Sequence, residues 1–191
     1  MARLIGDSER RADVLVRAAR IGERAGRPPA RLARLVERSL EASPNGPGRH
    51  RLAGRLWHRA GRLDPAIRHY RSAWRANLGD VELGRQLAAL LRERGDRRDA
   101  IEIYRRLYRQ NPEHPQIGLN LAKLEAASGR AARAEGVYLQ LLEHHPEHPS
   151  ILLRYARFLQ RQGRTDRAEE IEHRAREKMP GVDRREMRRL E

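Results

Sequence analysis

Arginine is where this sequence concentrates its chemistry. Of 41 basic side chains all but Lys123 and Lys178 are arginine; against 26 acids they leave a formal net charge of +15. A guanidinium fork pairs bidentately with carboxylates or phosphates, so a surface this positive favours acidic partners. The preference for arginine over lysine is also what a GC-rich genome produces, and it does not remove the charge. Other chemistry is thin. Cysteine is absent, which excludes disulfides, thiol catalysis and thiolate metal sites. His144, His145 and His148 are close enough in sequence to suggest a metal. They sit in a turn, however, and histidine beside a helix C-terminus is favoured by the helix dipole alone, so no metal is expected. Trp57, Tyr70 and Trp74 could stack on bases, but their phase assigns them to a core. With no phosphate-binding glycine loop and no nucleophile–histidine–acid spacing, neither an enzyme nor a cofactor is expected.

The elements that would position the arginines recur. Gly61, Gly95, Gly129 and Gly163 are 34 residues apart. Ala66, Ala100, Ala134 and Ala168 keep the same step, as do Tyr70, Tyr104 and Tyr138, and Pro112, Pro146 and Pro180. One unit shows the pattern in full. After Gly95, with Asp96 as a candidate cap, Ala100, Ile101, Tyr104, Leu107 and Tyr108 form one apolar stripe of helical period, closed by Pro112 and Pro115. A repeat of this length needs only to cover its neighbours, which suits a chain that is 39% hydrophobic and 4% aromatic.

In chain order, residues 1–46 read as a degenerate helix pair. A first helix spans 7–25, with Leu15, Val16, Ala19 and Ile21 on its buried side. Gly26 ends it, and Pro28 or Pro29 opens the second helix. Four regular units follow over 47–180, divided as 47–80, 81–114, 115–148 and 149–180. Asp64 is the expected cap of one second helix, with Pro65 as its first residue. Residues 181–191, with Asp183 and Glu186 at capping-box spacing, read as a polar capping helix. The N-terminal segment has no apolar run long enough for a signal peptide and mean hydropathy is −0.86, so the expectation is a cytoplasmic protein with no membrane partner.

The 34-residue helix–turn–helix unit resembles the tetratricopeptide repeat family over residues 47–180. With Ala100 at position 20 of the family's repeat, Ala88 falls at position 8, Tyr104 at 24 and Pro112 at 32; Gly54, Ala122 and Ala156 take position 8 elsewhere. Leu107 and Leu141 stand where the family has a small residue, Leu78 replaces a proline, and Glu172 replaces the tyrosine. Glu125 replaces a large apolar residue, which suggests pairing with an arginine. The resemblance implies an all-α, right-handed solenoid of antiparallel helix pairs.

It also implies a concave groove lined by the first helix of each pair. The groove positions are filled by Arg51, Arg55, His58 and Arg59, then Arg85 and Arg92, then Asn120 and Lys123, then Arg154, Arg157 and Arg161, with Glu82 and Glu93 as the acids among them. Arg85, Asn120 and Arg154 also fit part of the two-carboxylate clamp with which some members hold an acidic peptide tail. Ala89 and Ser150 stand where that clamp has Asn and Lys, so the complete clamp is not expected. The expectation is a non-enzymatic adaptor that holds a partner protein, by an acidic segment, in an arginine-lined groove. The alternative is a nucleic-acid-associated protein using the same charge on phosphates.

Overall fold

The computed structural model describes residues 2–44 and 46–178, with side chains from residue 6 onward. All the regular structure among these residues is α-helical, in two compact units that divide after Asp96. The capping helix expected at 181–191 lies outside the described residues.

The first unit holds α1 (Ala2–Arg24), α2 (Pro29–Ala42), α3 (Pro47–Arg59), α4 (Leu63–Ala76) and α5 (Val81–Arg94). Proline opens α2 and α3, where its missing N–H leaves nothing unsatisfied. Asp80 caps α5 by accepting from the Leu83 N–H at 2.9 Å. Gly95 ends that helix at φ +99°, and the Asp96 N–H reaches back to the Leu91 carbonyl at 2.8 Å. That six-to-one closure requires the left-handed conformation glycine adopts without strain. Gly26, Gly61, Gly129 and Gly163 share the positive φ, so the recurrent glycines are helix stops.

Leu56, Ile67 and Leu87 are fully enclosed in this unit. Gly54 lets α3 cross α4 closely: a Cβ there would lie 3.0–3.2 Å from the Tyr70 ring. Trp57 and Tyr70 belong to the core; Trp74 is half-buried. Arg49, at the start of α3, donates to the Ser43 carbonyl and ion-pairs with Glu9 and Asp13 of α1.

Three sequence expectations change here. The first helix runs Ala2–Arg24 rather than 7–25. Ile21 is 67% exposed, because nine residues of helix past buried Ala12 is a half-integral number of turns. Ala12, Ala19 and Gly22 form the buried line instead. Asp64 is not the cap of α4, which begins at Leu63; its carboxylate accepts from Arg94 at 2.9 Å.

The second unit holds α6 (Arg97–Gln110), α7 (Pro115–Ala126), α8 (Ala131–His144), α9 (Pro149–Arg161) and α10 (Thr165–Glu177). Ala100, Ile101, Tyr104, Leu107 and Tyr108 of α6 are buried as one stripe. The family's small residue is absent at Leu141, and Gly118 on α7 explains why this is tolerated. A Cβ at Gly118 would approach the Leu141 side chain to 2.8–2.9 Å, so the small residue has moved to the opposite helix. Glu125 is buried, its Oε1 2.7 Å from Arg105 and its Oε2 2.5 Å from Arg130. The acid in an apolar position is therefore the centre of an ion triad.

Candidate binding surface

The basic residues assigned to the groove lie on α3 and α5 in the first unit and on α7 and α9 in the second, and the two sets are in different electrostatic states. In the first unit most are satisfied by acids of the same chain. Arg55 reaches Glu23 Oε2 at 2.8 Å and Arg59 reaches Glu23 Oε1 at 2.7 Å, so one carboxylate of α1 is chelated by two guanidiniums one helical turn apart. Arg51 pairs with Asp80 at 3.1 Å, and Arg85 with Glu82 on its own helix at 3.1 Å. His58 faces Glu93 at 3.8 Å. Arg92 is exposed and has no ion-pair partner among the described residues.

Glu23 is the residue that the sequence reading missed. Its signal was available: it stands three residues before Gly26, on the same face of its helix as His58, three residues before Gly61. The irregular first helix pair concealed the correspondence.

In the second unit Lys123 of α7 and Arg154, Arg157 and Arg161 of α9 border one pocket of about 260 Å³. Leu119, Ala126, Ala127, Tyr138 and Phe158 supply its apolar lining and Gln162 an amide; among the described residues no acid lines it. The Nε of Arg154 is buried with no hydrogen-bond partner among the described residues. Burial raises the pKa of the Tyr138 phenol, against the pull of Arg154 and Arg161, which favour its ionised form. Asn120 is half-buried on α7 and is not among the pocket's lining residues. The groove residues thus do not act alike: four border the pocket, and four arginines of the first unit are engaged by acids.

His145 donates from Nε2 to the Glu113 carbonyl at 2.5 Å, linking successive turns. Among the described residues no group of three or more histidines and acids is arranged to hold a metal. No described helix is long and apolar enough to cross a membrane.

A repeating set of helix pairs stopped by left-handed glycines, with a basic face on the first helices, defines a helical-repeat binding protein. The family model for the tetratricopeptide repeat matches residues 91–142 and 126–191, and the chain belongs to that family. Its fold is the all-α helical-repeat solenoid, and members are in general non-enzymatic scaffolds for protein–protein interaction. No curated protein matches the sequence. Among solved structures, a tetratricopeptide repeat protein from Parabacteroides merdae ATCC 43184 is 21% identical with a TM-score of 0.72, over 90% of this chain and 68% of that one. MamA is 17% identical with a TM-score of 0.68, over 84% of this chain and 93% of its own. YrrB, described as a tetratricopeptide repeat protein with an unusual peptide-binding site, is 15% identical with a TM-score of 0.69, over 92% and 89%. At these identities the likeness is one of fold alone.

Proposed function

We propose that the chain is a non-enzymatic adaptor that holds a partner protein by an acidic segment, and that the first-helix face of the second unit makes the principal contact. The observation that carries this reading is the contrast within the chain. Basic residues of the first unit are largely neutralised by Glu23, Asp80 and Glu82, whereas Lys123, Arg154 and Arg161 of the second border a pocket with no acid among its described lining residues and have no ion-pair partner among the described residues. A partner's carboxylates would find there the charge that the first unit satisfies internally. The resemblance to YrrB, a protein described by its peptide-binding site, is consistent with a peptide ligand.

The test is capture from lysate before and after nuclease treatment. Protein partners should survive nuclease, be lost with Arg154→Ala plus Arg161→Ala, and be kept with Arg109→Ala plus Arg133→Ala, which remove two exposed charges from the second helices. Partners that vanish with nuclease would instead mark a phosphate-backbone binder, whose affinity would fall steeply with salt.

A further inference from the structure

The glycine stops give the first helices a common frame. At the end of α1, α3, α5, α7 and α9 the N–H after the glycine returns to the carbonyl four residues before it, as Arg27 does to Gly22 at 2.9 Å and Arg164 to Leu159 at 3.0 Å. Five residues before the glycine stand Leu56, Leu90, Leu124 and Phe158, all buried. Twelve residues before it stand Leu83, Ile117 and Ile151, also buried, with Arg49 in that place on α3. On α1 the same two places hold Ile21 and Val14, which are 67% and 65% exposed. Within the array these places are covered by the preceding second helix. The Tyr138 ring of α8 lies 5.5 Å from the Phe158 ring of α9 and 5.4 Å from that of Tyr155, eight residues before Gly163. The counterpart of Tyr155 on α1 is Ala18, which is exposed. So α1 presents the face that receives a second helix, and among the described residues no helix precedes it.

Beyond the basic groove, we propose that the outer face of α1 docks an amphipathic helix of a partner protein, with leucine-type residues along its seam and acids along its edge. The shape of the face argues for a helix. Val14, Ala18, Ile21 and Ala25, all exposed, follow at steps of four, three and four, which is one seam on a helical surface. Its small alanines let a second helix approach, and its two branched residues would pack into the gaps of that helix. Charge complementarity argues for the acids. Arg10, Arg17 and Arg24, all exposed, run along one edge of the seam at steps of seven. Glu9, Asp13 and Glu23 of the same helix are turned the other way, where they pair with Arg49, Arg55 and Arg59. Asp7 is the acid left near the seam, 3.9 Å from Arg10. A second copy of α1 would therefore bring arginines to arginines, whereas a helix with glutamates at its edge would neutralise the row. The face belongs to the first unit alone and uses none of the groove residues.

The experiment titrates the full chain with a labelled helical peptide of heptads carrying Leu on the seam and Glu on both edges, whose own charges keep it from pairing with itself. A counterpart carries Lys in place of Glu. The wild type should bind the Glu peptide and not the Lys peptide. Val14→Asp plus Ile21→Asp should weaken binding by roughly a hundredfold, since it removes two side chains that the complex would bury. Both sites are exposed, so helicity should be unchanged; if it is not, Val14→Ser plus Ile21→Ser replaces them, with the same direction of change expected. Arg17→Ala plus Arg24→Ala should weaken binding by roughly threefold to tenfold and flatten its salt dependence. Leu139→Asp, at an exposed apolar position of α8, should leave binding unchanged. Arg154→Ala plus Arg161→Ala should also leave it unchanged, which separates this face from the groove. Failure of the wild type to bind the Glu peptide would overturn the docking face and leave the groove reading standing. Loss of binding with Arg154→Ala plus Arg161→Ala but not with the α1 variants would also overturn it, by placing the peptide in the groove. Two further results would do so by naming another occupant. One is a wild-type dimer in sedimentation that Ile21→Asp makes monomeric; the other is α1-dependent binding to phosphatidylserine vesicles without binding of the Glu peptide.

Discussion

Glu125 should be tolerant of its own replacement and intolerant of its partners' replacement. Its carboxylate is only 2% exposed, whereas Arg105 and Arg130 are 28% and 33% exposed. With Glu125→Leu, both guanidiniums can turn toward water and Arg105 keeps Glu102 at 3.0 Å, while an apolar residue of similar length fills a buried position. Replacing a buried ion by a well-packed apolar residue is often close to neutral, so the expected cost is about 0–1.5 kcal/mol. With Arg105→Met plus Arg130→Met the carboxylate remains in the interior with neither cation. Leaving a buried charge unpaired costs about 3–5 kcal/mol, and loss of both partners places this variant at the upper end. Urea denaturation of the three proteins, followed by far-ultraviolet circular dichroism, measures the difference directly. A double methionine variant no less stable than Glu125→Leu would refute the reasoning, since it would mean that the carboxylate reaches water without the arginines.

Further outcomes follow from the packing of the two units. Gly118→Ala should destabilise the second unit by about 1–3 kcal/mol through overpacking against Leu141, and the same substitution should cost less in a Leu141→Ala background, read as the difference in urea midpoints. Gly129→Ala meets no neighbour within 4 Å but must hold φ at +73°, so it should cost about 1–2 kcal/mol by backbone strain alone, with no second-site rescue. Acidification should weaken the first unit at His50. Burial, and then the adjacent His69, hold the His50 imidazole below its ordinary value, so the fold favours the neutral form. That contribution is complete above about pH 6.5, the ordinary imidazole value, and is lost as pH falls through the depressed folded value. His50→Gln should flatten the dependence of the urea midpoint on pH over that window.

The sequence by itself determined the local structure of the regular array, because local structure depends on short spacings. Glycines at a fixed step stop helices wherever the chain places them, and the apolar period from Ala100 to Tyr108 specifies one buried face with no reference to what covers it. It failed first in the N-terminal helix, where Ile21 was assigned by type and the true buried line of Ala12, Ala19 and Gly22 is made of small residues that carry little hydrophobic signal. It also identified which arginines share the first helices. It could not tell which of them are available, because availability is set by acids far away in sequence: Glu23 engages Arg55 and Arg59 from more than 30 residues upstream, and Asp80 engages Arg51 across 29. Only packing brings Gly118 against Leu141 and buries Glu125 between two arginines. Charge is a property of composition. Whether a charge is already satisfied depends on ångström distances between helices, and the tertiary structure alone sets those.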